Sequence, residues 1–134
     1  MKKKSLLIGL CLLVLFAVFT SCKKKKGCTD PKALNTKFDA QVNDGSCRYS
    51  SAIFYMSVIV PSRPVTVSVN GTNIGTITAQ YPLGPGNCIA PGCAVYQFKE
   101  GEKVNWVATE PGGSIWTGTI EPSSVADCIR VRVY

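Results

Sequence analysis

The chain has 134 residues, a formal net charge of +7 and seven cysteines, and it contains no histidine. Its length suits one small domain. The lack of histidine excludes histidine-based zinc sites and the Ser-His and Cys-His nucleophile pairs. Since no other catalytic constellation is visible, we predict a protein that is not an enzyme and that holds no metal and no cofactor.

The first 21 residues have the layout of an export signal. A basic start leads into an apolar run from Leu6 to Phe19, and the small residues Thr20 and Ser21 stand directly before Cys22. The run is shorter than the roughly 20 residues that a membrane-spanning helix needs. Small residues before a cysteine are typical of a lipobox, where a signal peptidase cuts in front of a cysteine that carries diacylglycerol. We therefore predict a lipoprotein signal peptide at 1–21 and lipidation of Cys22.

The residues that follow suit a membrane surface. Two or three acyl chains on one cysteine anchor a protein stably, because each buried methylene contributes about 0.8 kcal/mol. Lys23 to Lys26 would then lie beside anionic headgroups, which attract each lysine by about 1 kcal/mol. We expect residues 22–27 to form a lipidated, basic tether, so the bilayer is a partner of the mature protein through the Cys22 acyl chains.

The positive charge is concentrated in these N-terminal segments. Seven of the fifteen lysines and arginines lie at positions 2–4 and 23–26, and the other eight are balanced by the eight acidic residues. The remainder of the chain is therefore formally neutral. Nucleic-acid-binding domains usually carry a clustered basic surface, so we expect no nucleic-acid partner.

Cysteine usage indicates an oxidising compartment. Cys11 leaves with the signal and Cys22 takes the lipid, so five of the seven cysteines remain for the folded part. Several cysteines in a small exported domain indicate disulfides. An odd number leaves one thiol free or paired with another molecule.

Residues 28–50 form a segment bracketed by cysteines, with the pattern G-C-T-D-P-x-A-x-N, then F-D-A, then N-D-G-S-C. This pattern resembles the short cysteine-bracketed module found in secreted and lipid-anchored proteins of the Bacteroidota. The resemblance implies a disulfide between Cys28 and Cys47, which would contribute about 3 kcal/mol by closing a loop of about 20 residues. The spacing does not fit an EF-hand calcium loop. We expect the Asp and Asn side chains to form local turns instead.

From residue 51 to residue 134, β-branched and aromatic residues alternate with polar ones between short turns rich in Gly, Pro and Asn. This pattern predicts an all-β domain: a small antiparallel β-sandwich, immunoglobulin-like or similar, with six or seven strands. The predicted strands are Ala52–Val60, Pro64–Val69, Thr72–Ala79, Ala94–Phe98, Lys103–Thr109, Ile115–Ile120 and Cys128–Tyr134. One helical turn is expected at Glu121–Asp127.

Local features of this β domain can also be predicted. Asn70-Gly71 is typical of a type I′ hairpin turn, and Gly75 predicts a bulge that lets Ile74 and Ile77 both face the core. Strand alternation places further side chains on core faces. These are Val65, Val67 and Val69; Val104, Trp106 and Ala108; and Ile129, Val131 and Val133.

The β domain resembles small bacterial lipoprotein domains in which a V-x-V-N-G-x-x-I-G-T-I hairpin precedes a cysteine loop, a W-x-G-T strand and a terminal cysteine strand. The whole chain thus resembles a small Bacteroidota-type lipoprotein with a β-sandwich domain of unknown function. In such lipoproteins surface export is associated with acidic residues after the lipidated cysteine, whereas here four lysines follow. The resemblance therefore implies a cell-envelope protein, lipid-anchored in the outer membrane and facing the periplasm.

With the cysteines of the module paired, three cysteines of the β domain compete for one bridge. A Cys88–Cys128 bridge closes about 40 residues and contributes about 4 kcal/mol, more than the short Cys88–Cys93 loop. We favour Cys88–Cys128 with Cys93 free, and Cys93–Cys128 is the alternative. The spacing of Cys88 and Cys93 is not that of a C-x-x-C redox motif.

Two classes of function remain. The first is a non-catalytic structural or interaction module that meets an envelope protein or a glycan. The alternative is a ligand-binding module, for glycans among other ligands, that uses the Tyr81–Gly92 loop with Tyr81 and Trp116 as exposed aromatic residues. The two classes differ in whether Tyr81 and Trp116 share one flat, exposed face.

Overall fold

The structure is a computed structural model that describes residues 23–58 and 63–134. The predicted signal peptide, the predicted lipidation site Cys22 and the end of the first predicted strand, at 59–60, lie outside the described residues. The described part contains nine strands and no helix. Seven of these strands form a sandwich of two sheets, so the predicted all-β sandwich is confirmed. None of the described residues forms a helix long and apolar enough to cross a membrane.

The nine strands are β1 (Lys26–Gly27), β2 (Val42–Asn43), β3 (Ser51–Tyr55), β4 (Val65–Val69), β5 (Thr72–Ile77), β6 (Ala94–Gln97), β7 (Val104–Thr109), β8 (Ile115–Ile120) and β9 (Cys128–Arg132). Strands β1 and β2 pair in parallel within the cysteine-bracketed module. The sandwich consists of a three-stranded sheet in the order β6-β3-β9 and a four-stranded sheet in the order β5-β4-β7-β8.

The core lies between the two sheets and is built from alternating positions. The inward residues are Val65, Val67 and Val69 on β4 and Val104, Trp106 and Ala108 on β7. Across the core, Phe54 meets Trp106 edge to face, with 5.5 Å between the ring centroids, which is a favourable aromatic geometry. Burial of each large apolar side chain contributes about 1.5–3 kcal/mol. The predicted core faces of β4 and β7 are therefore confirmed.

Strand β3 is covered on both faces. Three of its residues are fully buried in succession: Ala52, Ile53 and Phe54. Because side chains alternate along a strand, Ile53 points away from the core that its two neighbours enter. On that outer side lies the loop 81–92, where Pro85 is fully buried and Gly84 lies against the Tyr55 ring. The continuous apolar run of β3 is thus explained by a loop that covers its outer face.

The hairpin between β4 and β5 has the predicted geometry. Asn70 and Gly71 have φ values of 47° and 79°, and both are positive as a type I′ turn requires. The register of the pair shifts beside Gly75, which makes Ile74 the extra residue of a bulge. Ile77 is buried and Ile74 packs against the core. The predicted turn and bulge are confirmed.

Strand β9 runs parallel to β3, whereas the other strand pairs of the described sandwich are antiparallel. Parallel neighbours need a long crossover connection, and here the chain builds the whole four-stranded sheet between the two strands. Ile129 and Val131 pack against the core and Val133 is buried. The predicted inward face of this strand is confirmed, while its parallel direction was not foreseen.

The predicted helical turn at Glu121–Asp127 is wrong. The Ser123 hydroxyl oxygen accepts hydrogen bonds from the backbone N–H groups of Val125 at 3.3 Å and Ala126 at 3.0 Å. The Ser50 hydroxyl oxygen in turn accepts from the Ser123 N–H at 2.9 Å. Serine hydroxyls that accept from N–H groups two and three residues further on form local turns, and no helix follows this turn. The segment is therefore an irregular connection fastened to the start of β3.

Candidate functional site

The cysteine-bracketed module is closed by a disulfide between Cys28 and Cys47, whose Cα atoms lie 4.8 Å apart. The pairing that the resemblance implied is confirmed. Gly27, just before the buried Cys28, is itself buried and closely packed. A Cβ there would lie 2.8 Å from Cδ of Lys37 and 3.3 Å from Cβ of Ala40. The start of the folded part is thus packed directly against the segment 37–40.

Asn and Asp side chains hold the turns of this module, as predicted. The Asn35 side chain accepts from the N–H of Arg48 and donates to the carbonyl of Ser46, both at 2.7 Å. Asn43 and Asp44 each accept from the N–H two residues further on, at 3.0 Å. The hydroxyl and the N–H of Ser46 lower the pKa of Asp44. Among the described residues, no group of three or more Cys, Asp or Glu side chains is placed to hold a metal ion.

Asp30 joins the module to the sandwich. Its carboxylate accepts from the N–H of Lys32 at 2.8 Å and from the Tyr49 hydroxyl at 2.7 Å, and these two donors lower the pKa of Asp30. Burial, followed by the Asp30 carboxylate, raises the pKa of Tyr49 to about 12. On the sandwich side, a Cβ at Gly101 would lie only 2.5 Å from the Asp30 carboxylate. Lys32 also pairs with Glu121, with 2.6 Å between Nζ and Oε2.

A groove of about 570 Å³ lies where the module meets the sandwich, lined by residues such as Leu34, Arg48, Lys99 and Asp127. The amide of Gln97 in this groove is already engaged. Its nitrogen donates to the carbonyls of Tyr49 at 2.9 Å and Ser50 at 3.2 Å, and its oxygen accepts from the Ser51 hydroxyl at 2.6 Å. The Gln97 amide is thus satisfied within the chain, and the groove follows the seam between the two parts of the fold.

The second disulfide joins Cys88 to Cys128, with 5.5 Å between the Cα atoms, and Cys93 is the free thiol among the described cysteines. The favoured pairing is confirmed. The bridge ties the loop 81–92 to β9, next to the strand that the loop covers. Burial raises the pKa of the Cys93 thiol, and a raised pKa disfavours the nucleophilic thiolate. Cys93 therefore has the features of a packing residue.

The two aromatic candidates for ligand binding make contacts within their own chain. The Tyr81 hydroxyl donates to the carbonyl of Pro91 at 2.9 Å, and the Tyr81 N–H donates to the carbonyl of Met56. The Trp116 ring stacks on Tyr134, with ring centroids 4.8 Å apart and planes 17° apart. Both residues are half-buried, and the aromatic pairs of the described residues do not join Tyr81 to Trp116.

A different surface has apolar side chains that are exposed. We call it the apolar cleft, and it consists of Pro31, Ala33, Leu34, Thr36, Phe38, Ser124 and Val125, around a volume of about 290 Å³. Phe38 is 100% exposed and Val125 is 93% exposed. Exposed apolar side chains that cluster, rather than lie singly, mark interaction sites. The sequence gives no clear signal of this cleft, because its two rims lie far apart along the chain.

The described residues thus present a cross-linked sandwich, a module docked on it, and an apolar cleft formed by both. The cleft lies beside the start of the folded part, since the Phe38 neighbour Asp39 pairs with Lys25 at 3.0 Å. The chain matches no protein-family model, no curated protein and no solved structure.

Proposed function

We propose that this protein is a membrane-anchored lipoprotein of the cell envelope, attached through acyl chains on Cys22, and that its folded part is a non-catalytic structural or interaction module. The lipobox at 19–22 supports the anchor, and the resemblance of the cysteine-bracketed pattern to lipoproteins of the Bacteroidota supports the class. The lysines at 23–26 support a position in the outer membrane that faces the periplasm. Its partners are the bilayer and an envelope protein or glycan.

The observation that carries this proposal is a β fold with two disulfides that begins three residues after Cys22. The Lys25 carbonyl accepts from the N–H groups of Gln41 at 2.8 Å and Val42 at 3.2 Å. Three residues of extended chain span about 10 Å at most. Acyl chains on Cys22 would therefore hold the folded part against the bilayer. Disulfides of this kind persist in oxidising envelope compartments.

Substitution of the two N-terminal cysteines tests the proposal. Cys22→Ala removes the thiol that takes diacylglycerol, so we expect the processed, acylated form to disappear from the membrane fraction. Cys11→Ala is the matched control, because this cysteine lies inside the proposed signal, and it should leave processing and acylation unchanged. Membrane fractionation measures where each variant is located, and mass spectrometry measures its processing and acylation. A Cys22→Ala protein that is processed and fully membrane-bound as before would overturn the proposal.

A further inference from the structure

We propose that the apolar cleft docks on an anionic bilayer, with Phe38 and Val125 entering the boundary between headgroups and acyl chains. This inference rests on the proposed anchor at Cys22 and goes beyond it, because it assigns a membrane-facing surface to the folded part. The anchor at Cys22 would limit the distance between the sandwich and the membrane, and the docked cleft would set the orientation of the sandwich.

The side chains of the cleft have the character that an interfacial site needs. Phe38 and Val125 are almost entirely exposed, and the half-buried Leu34 lies in the cleft with them. Aromatic and aliphatic side chains that project beside cationic residues are typical of surfaces that lie in the membrane interface. Within the folded chain, Phe38 and Val125 stay in contact with water. Insertion into the membrane interface would remove both side chains from water.

The position of the cleft agrees with the short tether. Asp39, the neighbour of Phe38, pairs with Lys25 at 3.0 Å, and Lys37, its other neighbour, packs against Gly27. Phe38 is therefore flanked by two residues that contact the start of the folded part. Since Cys22 lies within about 10 Å of Lys25 along the chain, acyl chains on Cys22 and the Phe38 ring can enter the same leaflet.

The charges around the cleft are complementary to anionic headgroups. Lys23, Lys24, Lys26 and Lys37 are exposed. Of the acidic side chains close in sequence to its rims, Asp39 pairs with Lys25 and Glu121 pairs with Lys32. Asp127 is exposed and forms no ion pair among the described residues, so the four exposed lysines outnumber it. Cationic side chains near a membrane are attracted by anionic lipids over roughly one Debye length. A protein occupant would have to enter the narrow space between the module and the bilayer, so we assign the cleft to lipid.

Site-directed photocrosslinking to lipid tests this assignment. The full-length acylated protein is purified from membranes and placed in vesicles of phosphatidylethanolamine and phosphatidylglycerol. A photoreactive benzoyl-phenylalanine replaces Phe38 in one variant and Leu83 in the matched control, since Leu83 is 99% exposed but lies in the loop that covers β3. We expect a severalfold higher yield of lipid adducts at position 38 than at position 83. Equal yields, or no adduct at position 38, would overturn the docking.

Two further measurements distinguish an error in the lipid docking from an error in the proposed anchor. Replacing phosphatidylglycerol by phosphatidylcholine should lower the adduct yield at position 38, because the lysines lose their anionic partners. In intact cells, an adduct of position 38 with a protein in place of lipid would reject the bilayer as occupant. The intact mass of the same sample shows whether Cys22 is acylated. An acylated chain without a lipid adduct contradicts the docking alone, whereas an unacylated Cys22 contradicts the proposed function.

Discussion

The hydroxyl of Tyr49 donates to Asp30 at 2.7 Å, next to the junction between the module and the sandwich, and we expect the stability of this junction to depend on pH. Burial and the carboxylate raise the pKa of Tyr49 to about 12. A pKa raised by folding stabilises the folded state below the ordinary tyrosine pKa of about 10, and this contribution is lost as the pH rises through the folded value. The pKa of Asp30 is lowered, so its contribution is present above its ordinary pKa and is lost in acid.

We therefore expect Tyr49→Phe to weaken the fall in stability between about pH 10 and about pH 12. At neutral pH the variant should lose about 1.5 kcal/mol of unfolding free energy, the low end of the range for a hydrogen bond to a charged group, because the Tyr49–Asp30 pair is partly exposed. Some alkaline slope should remain, since burial also raises the pKa of Tyr134. Denaturant unfolding at a series of pH values measures the effect.

Asp30→Asn is the matched control for this prediction. It keeps an acceptor for Tyr49 but removes the negative charge that contributes to the raised pKa of Tyr49. It should lower that pKa and narrow the pH range over which stability is lost. An alkaline slope identical in the wild type and in Tyr49→Phe would contradict the role given to this pair.

Single residues differ in how far the sequence predicts their roles. Loop length disfavours the short Cys88–Cys93 bridge, and the position of Cys93 directly before the predicted strand Ala94–Phe98 favours Cys88 as the partner of Cys128, so this pairing could be predicted. The role of Asp30 could not, since its partners include Gly101 in a distant turn of the sandwich. The apolar cleft could not be predicted for the same reason, because it is lined by Phe38 and Val125, which lie far apart in sequence.

Among the elements, the β4–β5 hairpin depends on backbone conformation more than on packing. Gly71 has a φ of +79° and nothing within 4 Å of an added Cβ. An L-residue in this left-handed conformation costs about 1–2 kcal/mol, so Gly71→Ala should destabilise the protein by about that amount. Gly86→Ala is the control, because Gly86 has equally open space around an added Cβ and its backbone is not in the left-handed region. Equal unfolding free energies of the two variants would contradict this explanation.

The four edge strands of the sandwich are protected unequally. β6 has only four residues, β5 carries the bulge, and β9 carries Arg130 and Arg132. β8 has six residues without a charge or a proline, and no described strand pairs with its outer edge. Open, regular edges without charges favour edge-to-edge association. β8 is therefore the edge from which aggregation should start.

A lysine introduced on β8 tests whether aggregation starts at this edge. Thr117→Lys should lower the light scattering of concentrated, heated samples without lowering the melting temperature appreciably, since Thr117 is exposed and edge lysines block strand addition. Asn105→Lys adds the same charge on the central strand β7 and is the matched control. An equal decrease in light scattering for both variants would show that aggregation depends on the net charge of the protein and not on the open edge of β8.

Element prediction succeeded where a local pattern decides the structure. The alternation in β4 and β7 and the Asn70-Gly71 turn are properties of a few consecutive residues. The predicted helical turn at Glu121–Asp127 was wrong, and the local sequence could not show that the N–H of Ser123 bonds to the hydroxyl of Ser50, far away in sequence. The parallel direction of β9 likewise depends on a partner strand that the local sequence does not identify.

At the scale of the whole molecule, the all-β sandwich was predictable from composition and turn spacing, but the docking of the module on it was not. Contacts such as that between Lys32 and Glu121 join segments separated by most of the chain. An exposed ion pair of this kind contributes little by itself. The shared groove, the Asp30 junction and the apolar cleft together show that the module and the sandwich pack as one unit, next to the residues where the proposed tether begins.

The central claim is that the protein is anchored to a membrane through a lipidated Cys22. The intact mass of the protein, purified from membranes without reduction, tests this claim most directly. We predict a polypeptide that begins at Cys22 and carries two or three acyl chains on that residue, with both disulfides in place. A chain that begins at another residue, or a Cys22 without acyl chains in the membrane fraction, would contradict the account of this protein as a lipid-anchored envelope module.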